Sequence, residues 1–492
     1  MISSTARASS LACRLAIGIA ALVLAGCTAF APVNPPIDHV DLDGGYRVGT
    51  LLKRNHADKS DPGTLFLLTF SGGGTRAAAF SYGVLEELRR TQIVVDGKPR
   101  TLLSEVDGIA GVSGGSFTAL AYALYGDQLF TEYEPRFLKR NVQGELTKRA
   151  LNPLNWFSLA SGLYGRSELA ADYYDEILFH GATFADLVKL PTPVTAVTGT
   201  DLSTGARFGF SQETFDLICS DLGKVRLARA AATSSAVPAV LSPVTYHNYA
   251  GRCGAQMPAW VADVTRPGDP ARPAGRALLR YRDILSLQDS TNRPYIHVVD
   301  GGVSDNLGLR GLLEALEEVE ASPKFQEQLD FKDLRRIVVV VVNSRSAPST
   351  TWDRSPIAPG IVAQLLQSSS VPIDHFSYES VELLKDIAQR WADKRTLEIA
   401  QRQLAGMTKA QAEAAVPQLK FDSIDISFDA IEDPVQQGYF MNLPTSFVLP
   451  DEAVDRLRAE AGRQLRESPT FQAIVKEIDG SSPSARPAGR QP

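Results

Sequence analysis

Cysteine, histidine and excess positive charge are all scarce in this chain. There are four cysteines and six histidines in 492 residues. No histidine cluster with metal-ligand spacing accompanies the cysteines, so a zinc site is not expected, and no other cofactor is implied. Lys and Arg number 50 against 56 Asp and Glu, a net charge of −6. That balance argues against nucleic acid as the main partner, because phosphate binding needs a basic face. Apolar residues at 44% and charged residues at 22% are those of a globular protein with a large core. The length allows two or three domains, and no internal repeat is visible.

The first 26 residues are set aside from fold reasoning. Arg7 and Arg14 are their only charges, and an apolar run from Leu15 to Ala25 is about half the ~20 residues a membrane-crossing helix needs. Leu24-Ala25-Gly26-Cys27 resembles a bacterial lipobox, in which Cys27 is acylated and becomes the mature N-terminus. Thr28, rather than Asp, follows it, which implies the outer membrane, facing the periplasm. The alternative is an ordinary secretory signal with a chance cysteine. Cys13 leaves with the leader and Cys27 carries lipid. Cys219 and Cys253 then remain in an oxidising compartment, where a disulfide between them is expected.

Residues 27–63 are rich in Pro, Asn, Asp and Gly and read as a tether. From Thr64 the pattern changes. Leu65–Phe70 suits a buried strand of a parallel sheet, and residues 76–90 have a helical apolar face. Further strands are expected at Asp107–Gly111, Pro193–Thr198, Tyr295–Val299 and Ile337–Val342, with Ala206–Phe210 as a hairpin partner of the third. Helices are expected from Gly115 to about Tyr125 and over roughly 305–320. The fold class is α/β, a mainly parallel sheet between helical layers spanning 64–345. Residues 346–480 read as mostly helical, around 375–406, 409–416 and 451–478, with one strand at Phe421–Phe428. They form either a separate lobe or a cover on the sheet. Residues 481–492 are Ser-, Pro- and Arg-rich and are expected to be disordered.

Three segments carry chemistry. Gly111-Val112-Ser113-Gly114-Gly115 is a Gly-x-Ser-x-Gly elbow between a strand and a helix, where small residues flank a serine on a sharp turn. Ser71-Gly72-Gly73-Gly74-Thr75-Arg76 also joins strand to helix, and its glycines can present backbone N–H groups to a ligand. It lacks the Lys-Ser/Thr of a Walker loop. Ala77 stands where a dinucleotide loop needs glycine, so an oxyanion site fits it better than a nucleotide cradle. Arg76 either orients this loop or meets an anionic head group. Asp300-Gly301-Gly302 ends the strand Tyr295–Val299, where a carboxylate at the C-terminal end of a parallel strand faces the ligand crevice.

In this order the three segments resemble the signature set of patatin-like phospholipases. Thr200–Gly205 and Ala230–Pro238 are also similar to segments of that family, and the resemblance covers about 64–345. It implies a patatin-like three-layer fold and an acyl-ester hydrolase of phospholipase A or lysophospholipase type. Ser113 is then the nucleophile, Asp300 its partner in a dyad without histidine, and Gly72, Gly73 and Gly74 the oxyanion donors beside Arg76. The implied partners are phospholipid or another acyl ester, and a membrane reached through the lipid anchor. A free Asp, with a pKa of ~3.9, is a weak base. Such a dyad therefore requires a buried Asp300 within hydrogen-bond reach of Ser113.

Three alternatives stand beside this. His375 follows Asp300 in the chain order of a Ser–Asp–His triad on an α/β-hydrolase plan. The acyl acceptor can be an alcohol other than water, making the protein an acyltransferase. The fold can also serve as a lipid-binding or envelope assembly module without turnover. Trp156–Tyr164, rich in aromatics and short of charge, is either an interfacial lid or, as expected here, a buried insertion.

Overall fold

The computed structural model describes residues 33–57, 59, 63–95, 97–160, 164–258, 260–261, 275–321, 334–347, 351–416 and 419–481. Ten strands are described. They are β1 (Thr64–Phe70), β2 (Gln92–Val95), β3 (Lys98–Thr101), β4 (Gly108–Gly111), β5 (Val194–Asp201), β6 (Arg207–Gly209), β7 (Val244–His247), β8 (Tyr295–Val299), β9 (Arg336–Asn343) and β10 (Lys420–Ser427). The helices used below are α1 (Val48–Ala57), α2 (Gly74–Arg90), α3 (Gly114–Tyr125), α4 (Val142–Leu151), α5 (Pro153–Ala160), α6 (Arg166–Tyr174) and α7 (Leu227–Ser234). They continue with α8 (Gly275–Gln288), α9 (Gly302–Asp305), α10 (Arg310–Ala321), α11 (Ile361–Leu404), α12 (Asp451–Glu467) and α13 (Pro469–Ser481).

The main sheet has the order β10-β9-β1-β4-β5-β8-β7, with β6 also on β5. From β10 to β5 every pairing is parallel. The unbroken apolar runs of β1 and β9 follow from burial on both faces. Phe66, Leu68 and Phe70 of β1 join Val338, Val340 and Val342 of β9 in the larger core cluster, which α2, α3 and α12 also enter. The opposite parity, Leu65, Ile337, Val339 and Val341, packs with Leu313 and Leu316 of α10 and Leu384 and Ile387 of α11. The result is helix, sheet, helix: a three-layer α/β fold with a mainly parallel sheet.

Four expectations need correction. Residues 34–57 are not a tether. Asn34 is buried and donates to Ser220 Oγ at 2.9 Å. Tyr46 is buried with its hydroxyl on Thr195 O, and α1 follows. Their polar composition hid this, because the segment is held by hydrogen bonds more than by an apolar face. Residues 27–32 of the expected tether and 482–492 of the expected tail lie outside the described residues.

The C-terminal region is not a separate lobe. β10 extends the parallel sheet beside β9, and α12 lies on α2, where Gly83 leaves room for the backbone of Arg458. Ser468-Pro469 divides the expected helix 451–478 into α12 and α13, since proline disfavours helical backbone in the residue before it.

β8 is antiparallel to both β5 and β7, so Asp300 does not end a parallel strand. The alternation of exposed Tyr295 and His297 with buried Ile296 and Val298 marks a half-exposed antiparallel strand, and it is visible in the sequence. Finally, α5 is not a buried insertion. Leu154 is 82% and Trp156 54% exposed; residues 161–163 lie outside the described residues.

Candidate active site

Strand register alone brings the serine and the aspartate level. β4 pairs with the first half of β5, ending at Gly111 opposite Val197. β8 pairs with the far end, where Val299 lies opposite Thr200. The two strands approach from opposite directions. Ser113, two residues beyond Gly111, and Asp300, one beyond Val299, both come level with Gly199. Ser113 Oγ donates to Asp300 Oδ2 at 2.9 Å.

The elbow is built as its glycines require. Ser113 has φ 48° and ψ −118°, a left-handed conformation that costs a non-glycine residue of order 1–3 kcal/mol. A Cβ at Gly111 would come 2.9 Å from Ser116 Cα, and one at Gly115 would come 2.6 Å from Phe70 O. Larger residues at either position would force strand and helix apart. Asp300 is buried, and its Oδ1 accepts the Gly302 N–H at 2.7 Å. Burial raises its pKa from 3.8 to about 6, against the lowering effect of the Gly302 amide and the Ser113 hydroxyl.

One helix end holds both partners. The Ser234 hydroxyl, at the end of α7, accepts the Ser113 N–H at 2.9 Å and donates to Thr198 O at 2.7 Å. The carbonyl of Ser234 accepts the Gly301 N–H, and that of Ala236 accepts the Asp300 N–H, both at 3.0 Å. On the other side, Thr200 Oγ1 donates to Asp300 O at 2.8 Å. α7 itself is fixed by a buried ion pair, Arg229 with Glu168 of α6, at 2.7 Å. Sequence reasoning singled out Thr200–Gly205 and Ala230–Pro238 only as family-like stretches, and it missed Ser234 as a hinge of the site.

The glycine loop lies against the elbow. A Cβ at Gly72 would be 3.3 Å from Ser113 Cβ, and one at Gly114 would strike the backbone of Gly74. The Gly72 N–H donates to Asn306 O at 2.9 Å, which removes it from the expected set of free donors. Among the described residues, the N–H groups of Gly73 and Gly74 meet no acceptor. These two glycines take φ of 140° and 60°, values that only glycine adopts readily. Arg76 is 2% exposed, so it cannot meet a head group. It donates to Ser344 O at 2.9 Å, to Leu443 O, and to Thr445 Oγ1 at 3.1 Å, while Thr75 N–H reaches Ser446 O at 2.8 Å. The C-terminal region thus clamps the loop, a contact across more than 360 residues that no local pattern announces.

Cys219 and Cys253 are joined in a disulfide, with Cα atoms 5.5 Å apart. His375 is in α11, and its side chain lies outside the described residues. The serine hydroxyl already donates directly to the carboxylate, the place an imidazole would take in a triad. Cys27 also lies outside the described residues. Among the described residues there is no group of three or more metal-ligating side chains, and no helix is long and apolar enough to cross a membrane.

The family model for patatin-like phospholipase matches residues 68–313, half of the chain. No curated protein sequence matches. Among solved structures, human GIVD cytosolic phospholipase A2 is similar at 12% identity and a TM-score of 0.43, over 88% of this chain and 65% of that one. The same enzyme in complex with methyl gamma-linolenyl fluorophosphonate gives 11% identity and a TM-score of 0.39, over 88% and 62%. The chain therefore spans somewhat under two thirds of the length of those structures.

Proposed function

The chain belongs to the patatin-like phospholipase family, and from that premise we propose that it is a lipid acyl hydrolase working through a Ser113–Asp300 dyad. The observation that carries this is the 2.9 Å hydrogen bond from Ser113 Oγ to a buried carboxylate beside a glycine loop. Asp300 takes the hydroxyl proton as Ser113 attacks the acyl carbonyl. Asp300 then returns that proton to the departing alcohol, and an acyl-serine remains. Water, deprotonated by the same carboxylate, attacks the acyl-serine, and the fatty acid leaves as Asp300 returns that proton to Ser113 Oγ.

A carboxylate with the ordinary pKa is a poor base for this step. Burial brings Asp300 to about 6, which narrows the gap. The remaining barrier falls on stabilisation of the oxyanion. The N–H groups of Gly73 and Gly74 are the proposed donors, and the N-termini of α2 and α3 add positive potential at the same place. The substrate class is phospholipid or a related acyl ester. Cys27 is proposed to carry the acyl anchor that places the enzyme on the bacterial outer membrane, beside that substrate. Labelling with a fluorophosphonate tests the chemistry. The intact protein should gain the probe at Ser113, and Ser113→Ala should lose both labelling and lipid turnover. A Ser113→Ala variant that still hydrolyses phospholipid would refute the dyad.

A further inference from the structure

Residues 34–37 fasten the chain to the rim of the domain. Asn34 bonds to Ser220 and to the backbone of His247, Pro36 pairs with Ser220, and the Ile37 N–H donates to Cys219 O. Only residues 28–33 separate this fastening from Cys27. At ~3.5 Å per residue that length reaches at most about 25 Å. If Cys27 is acylated, the face around Asn34 cannot stray further than that from the bilayer.

Strand direction says which face this is. β4 and β5 run toward the dyad, and β5 ends at Asp201 opposite Val298. β8 begins beyond that end, at Tyr295, and runs back to Asp300. The ribbon of β7 and β8 thus stands above the sheet on the side of the dyad, with Tyr295 about 17 Å from the level of Asp300 at ~3.4 Å per residue. His247, beside Asn34, lies opposite Tyr295.

The outward parity of this ribbon holds Thr245, His247, Tyr295 and His297, with Tyr249 just beyond. The His247 ring stacks on Tyr249 at 5.8 Å and meets Tyr295 edge-on at 5.0 Å. Burial and Arg229 hold the His247 pKa below its ordinary value. Val33 is 52% exposed at the point where the described chain starts. None of these six is a carboxylate, Lys or Arg. Rings with an apolar body and a polar tip are the side chains that settle at the boundary between lipid and water.

We propose that the projecting end of the β7–β8 ribbon around His247 and Tyr295, with Val33, is the surface that rests against the bilayer, so that the dyad lies on the lipid-facing side of the domain. This rests on Cys27 being the lipid anchor. The short span then confines the domain to a thin shell above the membrane and raises its effective concentration at the surface.

The test uses the full acylated chain in vesicles of phosphatidylethanolamine and phosphatidylglycerol. A fluorophore on Thr291→Cys, just before β8, is compared with one on Lys98→Cys, at the opposite end of the sheet, using a bromine-bearing lipid as quencher. Quenching at least threefold greater at 291 is expected; equal quenching, or more at 98, overturns the docking face. Independently, Tyr295→Glu should cut turnover of vesicle lipid at least fivefold while hydrolysis of a short soluble ester stays the same. Unchanged vesicle turnover overturns the proposal too. A mature protein without acyl mass at Cys27 removes the anchor and this inference with it. An acylated protein with equal quenching removes the docking face alone, and fluorophosphonate labelling of Ser113 reports on the hydrolase separately.

Discussion

The parallel half of the sheet and its antiparallel corner contribute to the site in different ways. The parallel half, β1 with β4, presents Ser113 and the glycine loop at strand-to-helix turns, where backbone shape is written locally in glycines. The corner, β8 with β7, presents Asp300 from a strand running the other way, and its position depends on pairings with distant segments. One side of the Ser113–Asp300 pair is thus set by local conformation and the other by register. The same segment, residues 234–236, ties the two together.

The largest expected effect separates the chemical role of the corner from its structural one. Asp300→Asn should lower turnover on the order of 10³-fold or more, measured as kcat on a phospholipid. It should also raise thermal stability at neutral pH. The folded pKa of about 6 lies above the unfolded value, so the native state binds more protons between pH 3.8 and 6, and stability falls as pH rises through that window. Removing the charge returns up to about 3 kcal/mol. In the unaltered enzyme, kcat/KM should rise about tenfold per pH unit up to pH 6 and then level off. A flat profile across that range would show that Asp300 is not the base.

Arg76→Ala tests the parallel side. It strips the carbonyls of Ser344 and Leu443 of their donor and leaves a cavity under the loop. Stability should drop by about 2–4 kcal/mol, and turnover about 100-fold. Loss of stability without loss of turnover would separate the clamp from catalysis.

Ser234→Ala acts on the seam between the halves. Turnover should fall about tenfold with KM unchanged within twofold, because the elbow loses the acceptor for its N–H while the substrate surface is untouched. Ser234→Thr, which keeps a hydroxyl, should recover part of the loss. A change in KM alone would place Ser234 in binding instead.

The smallest effect on chemistry is expected at the disulfide. Replacing Cys219 and Cys253 with serine should cost about 2–4 kcal/mol in denaturant unfolding, yet leave the pH profile where it was. A displaced profile would mean that the corner transmits strain to Asp300.

Much of the parallel half was legible in advance. Leu65–Phe70 and Ile337–Val342 are uninterrupted apolar runs, and burial on both faces leaves such runs little alternative. Gly111, Ser113 and Gly115 announced the elbow because a serine at φ 48° needs small neighbours. Other features escaped for definite reasons. The alternation in Tyr295–Val299 was in view but was read through the prevailing βα pattern, which favours parallel strands. Residues 34–57 looked like a linker because their polar residues find partners, such as Ser220 and Thr195, that are far away in sequence. Whether Arg76 orients the loop or meets a head group has no local signature, because the C-terminal segment that covers it is remote in the chain.

The sequence by itself determined the α/β class, the two glycine turns and which serine and aspartate to look for, because those depend on periodicity and on backbone conformations that few residue types can adopt. Only the tertiary structure decided that β8 runs against its neighbour, that Gly72 spends its amide on Asn306, and that Ser234 and Arg76 hold the site in place. Each of those is a pairing between segments remote in the chain, and a hydrogen bond between remote groups leaves no spacing in the sequence to read.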